Sequence, residues 1–108
     1  MQEVHDPAEL ERRRQGAVLL LFGGGDCGVC RALKPKLDAM LADEFPALES
    51  CYLDCQGAAS AVCAQEGVFS LPVVQVWFDG RKFAEFGRVF SLGQLRDAIE
   101  RPYRIAFG

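Results

Sequence analysis

Apolar positions along the 108 residues fall into runs of distinct period. Ala17-Val18-Leu19-Leu20-Leu21-Phe22 is apolar without a break, which predicts a strand covered on both faces. Gly23-Gly24-Gly25-Asp26 follows as a flexible run. Over residues 31–42, Leu33, Leu37, Met40 and Leu41 recur at helical spacing and predict a helix with one apolar face. Pro35 inside that pattern removes a backbone donor and predicts a kink.

The remaining elements follow from shorter patterns and their punctuation. Asp6-Pro7-Ala8-Glu9 reads as a helix start, with Asp6 as cap, Pro7 at the first helical position and Glu9 closing a capping box. Gly16 ends that helix. Residues 49–53 predict a second strand ending at Asp54, and residues 58–66 a short helix stopped by Gly67. Leu71-Pro72 opens a third strand over residues 73–78, Asp79-Gly80 turns it, and residues 82–86 return as a fourth, ended by Gly87. Ser91 and Gln94 form a capping box for a helix through Leu95 and Ile99, which Pro102 is expected to stop. Residues 103–108 stay unassigned.

The order is helix, strand, helix, strand, helix, strand, strand, helix. Two strands joined by a helix are parallel, and a tight turn makes the last two an antiparallel hairpin. The expected architecture is a single α/β domain over residues 1–108, a mixed four-stranded sheet with helices on both faces.

Composition narrows the function. Half the residues are hydrophobic, a quarter are charged and the net charge is −3, as in ordinary globular proteins. No basic stripe is interleaved with aromatics, so nucleic acid is not expected as a partner. Arg12-Arg13-Arg14 is the main basic cluster, and it reads as cations suited to a helix C-terminus. The longest apolar run is too short to span a bilayer, so no membrane partner is expected. Residues 1–15 lack an apolar signal-peptide core. With Met1 as the start, the expected compartment is the reducing cytoplasm, and the expected state is a monomer. Five cysteines in such a compartment point to reactive or packing thiols rather than to a disulfide scaffold.

Cys27-Gly28-Val29-Cys30 lies where the buried strand hands over to a helix. Residues three apart on a helix share a face, so a small adjustment of the first turn allows a disulfide. Unpaired N–H groups and the positive end of the dipole favour a thiolate at Cys27. A redox role is the favoured reading. A structural zinc site is the alternative, but Cys51, Cys55 and Cys63 would have to complete it from other elements without a second CxxC. Inert packing is the third reading. No cofactor or metal is expected.

Three anchors together resemble the thioredoxin family: the CxxC after a buried strand with Pro35 beyond it, Leu71-Pro72 opening the third strand, and Phe78-Asp79-Gly80 followed by Gly87 and Ser91. The resemblance covers residues 17–100. It implies the thioredoxin fold and a thiol–disulfide oxidoreductase that reduces or exchanges disulfides of protein substrates, itself regenerated by a thiol reductant. Cys27 would attack and Cys30 would resolve. Pro72 would be cis and shape a substrate groove, leaving Leu71 free to pair with a substrate strand, with Gly87 beside it.

Departures accompany the likeness. Leu21 stands where thioredoxins carry a buried Asp, and Ser50 where they carry a Lys. Asp26 replaces the usual Trp, and Val29 the usual Pro. These absences keep open a partner-binding module with weak turnover. Asp26 directly precedes the helix and is expected to cap it, and its charge to make Cys27 less acidic. Cys51 and Cys55 share parity on an extended strand and lie too far apart to bridge. Cys55 and Cys63 are read as small buried hydrophobes in preference to a second redox pair. His5 has no expected role, and Arg88 reads as a solvated arginine rather than a groove residue.

Overall fold

The computed structural model describes residues 1–108, and its elements are β1 (Gln2–Glu3), α1 (Pro7–Gln15), β2 (Ala17–Gly23), α2 (Gly28–Glu44), β3 (Glu49–Asp54), α3 (Ser60–Gln65), β4 (Val73–Phe78), β5 (Arg81–Gly87) and α4 (Leu92–Phe107). They form one sheet of order β1-β3-β2-β4-β5. β2 is central, parallel to β3 and antiparallel to β4, and β5 returns antiparallel on β4.

Val18 to Phe22 have no exposed surface, because each face of β2 meets a separate core. Leu19 and Leu21 point into a cluster with Leu37, Met40 and Leu41 of α2 and Leu95 and Ile99 of α4. Val18, Leu20 and Phe22 point into the other, with Leu10 of α1 and Val62 and Cys63 of α3. The unbroken apolar run is therefore what burial on both faces demands.

Five points differ from the sequence reading. The sheet has five strands rather than four: β1 lies parallel to β3, pairing Gln2 with Cys51 and Glu3 with Tyr52. The α2 helix starts at Gly28, and α3 is shorter than expected. Asp6 caps α1 by accepting the Ala8 N–H at 2.9 Å, but Glu9 pairs with Arg13 instead of closing a box. The α4 helix runs through Pro102 rather than ending there. Its last turns are held from outside: Tyr103 packs edge-on against Phe45 with ring centroids 5.1 Å apart. The Tyr103 hydroxyl also accepts the Ala47 N–H at 3.0 Å. That docking offsets the backbone bond the proline cannot make. The arginine cluster does sit in the last turn of α1. Arg14 bridges to Glu66 at 2.6 Å and lies over the Trp77 ring.

Candidate active site

Strand register gathers the expected site residues at one end of the sheet. Phe22 pairs with Val73, and Val73 with Gly87. Gly23 ends β2 beside Asp54. The next residues are the turn to Cys27, Pro72 ahead of β4, and Arg88 behind β5. All of them leave the sheet at the same end.

Residues 24–27 form a tight turn in which the Cys27 N–H donates to the Gly24 carbonyl at 3.1 Å. Here the structure corrects the reading of Asp26. The N-cap of α2 is Cys27, whose Sγ accepts the Cys30 N–H at 3.2 Å. Asp26 is exposed, and its backbone N–H donates to Gln56 Oε1 at 2.8 Å. The sulfur at the cap position thus receives a donor that a capping carboxylate would otherwise take. Cys27 and Cys30 form a disulfide with Cα atoms 5.2 Å apart. Cys27 is half-buried and Cys30 fully buried, so only the first sulfur offers surface to a partner.

The Leu71–Pro72 peptide bond is cis. Pro72 is buried, and its carbonyl accepts the Arg88 N–H at 2.9 Å. Arg88 adopts φ 61° at the end of β5, and its guanidinium reaches Ser70 Oγ at 3.4 Å. Neither the N–H nor the carbonyl of Leu71 bonds to another backbone group of the chain. Val29, Phe69 and Val89 flank these segments with large exposed apolar side chains.

Beneath the dithiol the departures from thioredoxins take structural form. Leu21 is fully enclosed. Ser50 Oγ donates to Asp38 Oδ1 at 3.4 Å. A polar side chain that the sequence reading passed over, Tyr52, also reaches this region. A Cβ added to Gly23 would lie 3.2 Å from Tyr52 Oη and 3.1 Å from Cys30 Cβ, so the phenol and Cys30 converge on one point. Burial pushes the Tyr52 phenol up from its ordinary range, with the Asp54 carboxylate adding to the effect. Lys34 Nζ sits over the same ring, 4.3 Å from its centroid.

The remaining cysteines depart from the expectation that they only pack. Cys55 and Cys63 are joined in a second disulfide with Cα atoms 5.5 Å apart. A signal was present: Cys55 continues the parity of Cys51 and Leu53 toward α3, where Val62 and Cys63 form the inward pair. Cys51 is a free buried thiol. Burial pushes it up, against the opposing pull of the Arg13 guanidinium.

No protein-family model matches the chain. The chain is 32% identical over 82 residues to Thioredoxin-like protein YdfQ of Bacillus subtilis, a match covering 76% of this chain and 71% of that protein. It is 30% identical over 88 residues to Thioredoxin-like 3-2, chloroplastic, of Arabidopsis thaliana, covering 78% of this chain and 46% of that protein. The match thus spans about half the length of the plant relative. Among solved structures, a thioredoxin of Fasciola hepatica superposes with a TM-score of 0.79 at 27% identity, covering 94% of this chain and 98% of that one.

Proposed function

The chain belongs to the thioredoxin family, and we propose that it is a thiol–disulfide oxidoreductase that reduces or exchanges disulfides of protein substrates through Cys27 and Cys30. The single observation that supports this best is the Cys27–Cys30 disulfide with one accessible sulfur, placed at a helix N-terminus.

In the proposed cycle the Cys27 thiolate attacks one sulfur of a substrate disulfide. A mixed disulfide forms and the other substrate sulfur leaves as a thiolate. Cys30 then loses its proton and attacks Cys27 Sγ. The second substrate thiolate leaves, and the Cys27–Cys30 disulfide returns. A thiol reductant restores the dithiol by the reverse exchange. An extended substrate segment would pair with the unbonded backbone of Leu71, beside Pro72 and Gly87. Val29, Phe69 and Val89 would supply apolar contact around it. We place this chemistry in a reducing, cytoplasmic setting, with the protein acting as a monomer. Nucleic acid and membrane have no part in it.

Replacing Cys30 by Ser and mixing the reduced variant with a disulfide protein should trap a mixed disulfide at Cys27. Trapping that instead requires Cys51, Cys55 or Cys63 would overturn the assignment. The enclosed Leu21 and the small Ser50 favour a second reading, a partner-binding module that turns over weakly. Insulin reduction with dithiothreitol separates the two, since only the first predicts turnover above the reductant alone.

A further inference from the structure

We propose that Cys55 and Cys63 are a second redox-active pair, whose oxidation state sets how firmly the turn ahead of Cys27 is held. The pair goes beyond the dithiol chemistry above and does not depend on it.

Three observations carry the inference. The first is access. Cys55 is half-buried while Cys63 is only 2% exposed, so a reductant meets one defined sulfur, as at Cys27. The second is the fragility of what the bond holds. The α3 helix has six residues and no side-chain cap, too few to be stable alone. Gln56, Gly57 and Ala58 ahead of it are exposed. The packing of Ala59, Val62 and Cys63, the Gly57 and Ala59 N–H bonds to the Asp54 carbonyl, and the disulfide tie this segment to the sheet. The third is its connection to the first site. The Cys55 N–H donates to the Gly23 carbonyl at 2.8 Å, and Gln56 Oε1 accepts the Asp26 N–H at 2.8 Å. The loop that the disulfide closes therefore holds both ends of the run from Gly23 to Asp26.

The chemistry balances with a dithiol reductant. One of its thiolates attacks Cys55 Sγ, and Cys63 leaves and takes up a proton. The second thiol of the reductant then attacks the reductant's own sulfur in the mixed disulfide. Cys55 is released as a thiol and the reductant becomes a cyclic disulfide. Two electrons and two protons pass from reductant to protein, and an oxidised dithiol drives the reverse. On reduction the segment keeps its apolar contacts but loses its covalent tie. Gln56 then holds the Asp26 amide less of the time.

The full chain carrying Cys27→Ser and Cys30→Ser isolates the pair. It is equilibrated across ratios of reduced to oxidised dithiothreitol, labelled with an alkylating reagent and read by mass spectrometry. Cys55 and Cys63 should convert together and reversibly while circular dichroism shows the protein folded. The wild-type chain, read the same way, should show the same transition and serves as the test if the variant does not fold. Thiols at Cys55 and Cys63 under full oxidation would overturn the proposal. So would a bond that opens only when the protein unfolds, since that is a staple and not a switch. Amide exchange tests the coupling. Asp26 should exchange about tenfold faster when the second pair is reduced, as local opening predicts. An Asp26 amide indifferent to that pair would refute the coupling.

Discussion

The substitution Gly23→Ala tests how closely the sheet approaches the dithiol. Gly23 ends β2 without a left-handed backbone, so alanine is tolerated by φ and only space decides. The added Cβ would stand 2.9 Å from Tyr52 Cε1 and 3.1 Å from Cys30 Cβ. The two neighbours yield differently. The Tyr52 ring can swing, at the loss of its contact with Lys34. The Cys30 Cβ is fixed to the first turn of α2, and moving it moves the helix start. Overpacking of this kind costs about 1–3 kcal/mol, and the lower chain entropy of unfolded alanine offsets about 0.4–1 kcal/mol. A net loss of roughly 0.5–2 kcal/mol is expected, or about 4–8 °C of melting temperature per kcal/mol.

Urea unfolding of the oxidised protein measures the loss, and the rate of Cys27 alkylation in the reduced protein reports the displaced turn. A double-mutant cycle with Tyr52→Leu divides the effect. Removing the ring should recover its share, and what remains belongs to Cys30. A Gly23→Ala protein with wild-type stability and wild-type alkylation would show that α2 yields freely, and the close-approach argument would fail.

Two further outcomes follow from the electrostatics. Burial raises the folded-state pKa of Cys51, so the stability tied to its neutral thiol is complete below the unfolded value near pH 8.5 and is lost as pH rises through the folded one. The oxidised protein should therefore weaken on alkaline titration, and denaturation midpoints of Cys51→Ala should fall less steeply over that range; equal slopes would refute it. Asp26→Asn should shift the pH profile of Cys27 alkylation downward by under about one unit, and high salt should abolish the difference, because the carboxylate is exposed and acts through charge alone.

What the sequence made legible was whatever a local pattern enforces. Ala17 to Phe22 is apolar throughout because each face of β2 meets its own core. Asp6 and Ser91 cap helices because their side chains reach amides two and three residues on. The Leu71–Pro72 bond is cis where the family resemblance placed it. What escaped depended on contacts across the chain. β1 has two residues, too few to show a period, and exists only because β3 offers an open edge. Continuation of α4 past Pro102 rests on Tyr103 reaching Phe45 and Ala47. Asp26 had the chemistry of a cap, yet the turn from Gly24 places Cys27 at that position instead. The bond from Cys55 to Cys63 required knowing that α3 folds back onto the face to which β3 directs Cys55.

The same geometry sets the two disulfides on opposite faces at one end of a small sheet. Cys30 approaches Gly23 from the face that carries Leu21 and Tyr52. Cys55 and Cys63 lie on the opposite face with Phe22 and Leu53. Between them stands the backbone of Gly23, paired to Asp54 in the ladder and bonded through its carbonyl to the Cys55 N–H. A sulfur passing from one pair to the other would have to break that bond, worth about 1 kcal/mol net, and part the end of β2 from β3. The folded sheet therefore keeps the two pairs apart. What passes between them is the hold on Gly23 and Asp26. This hold is mechanical, so it can be lost on one side while the chemistry of the other remains intact.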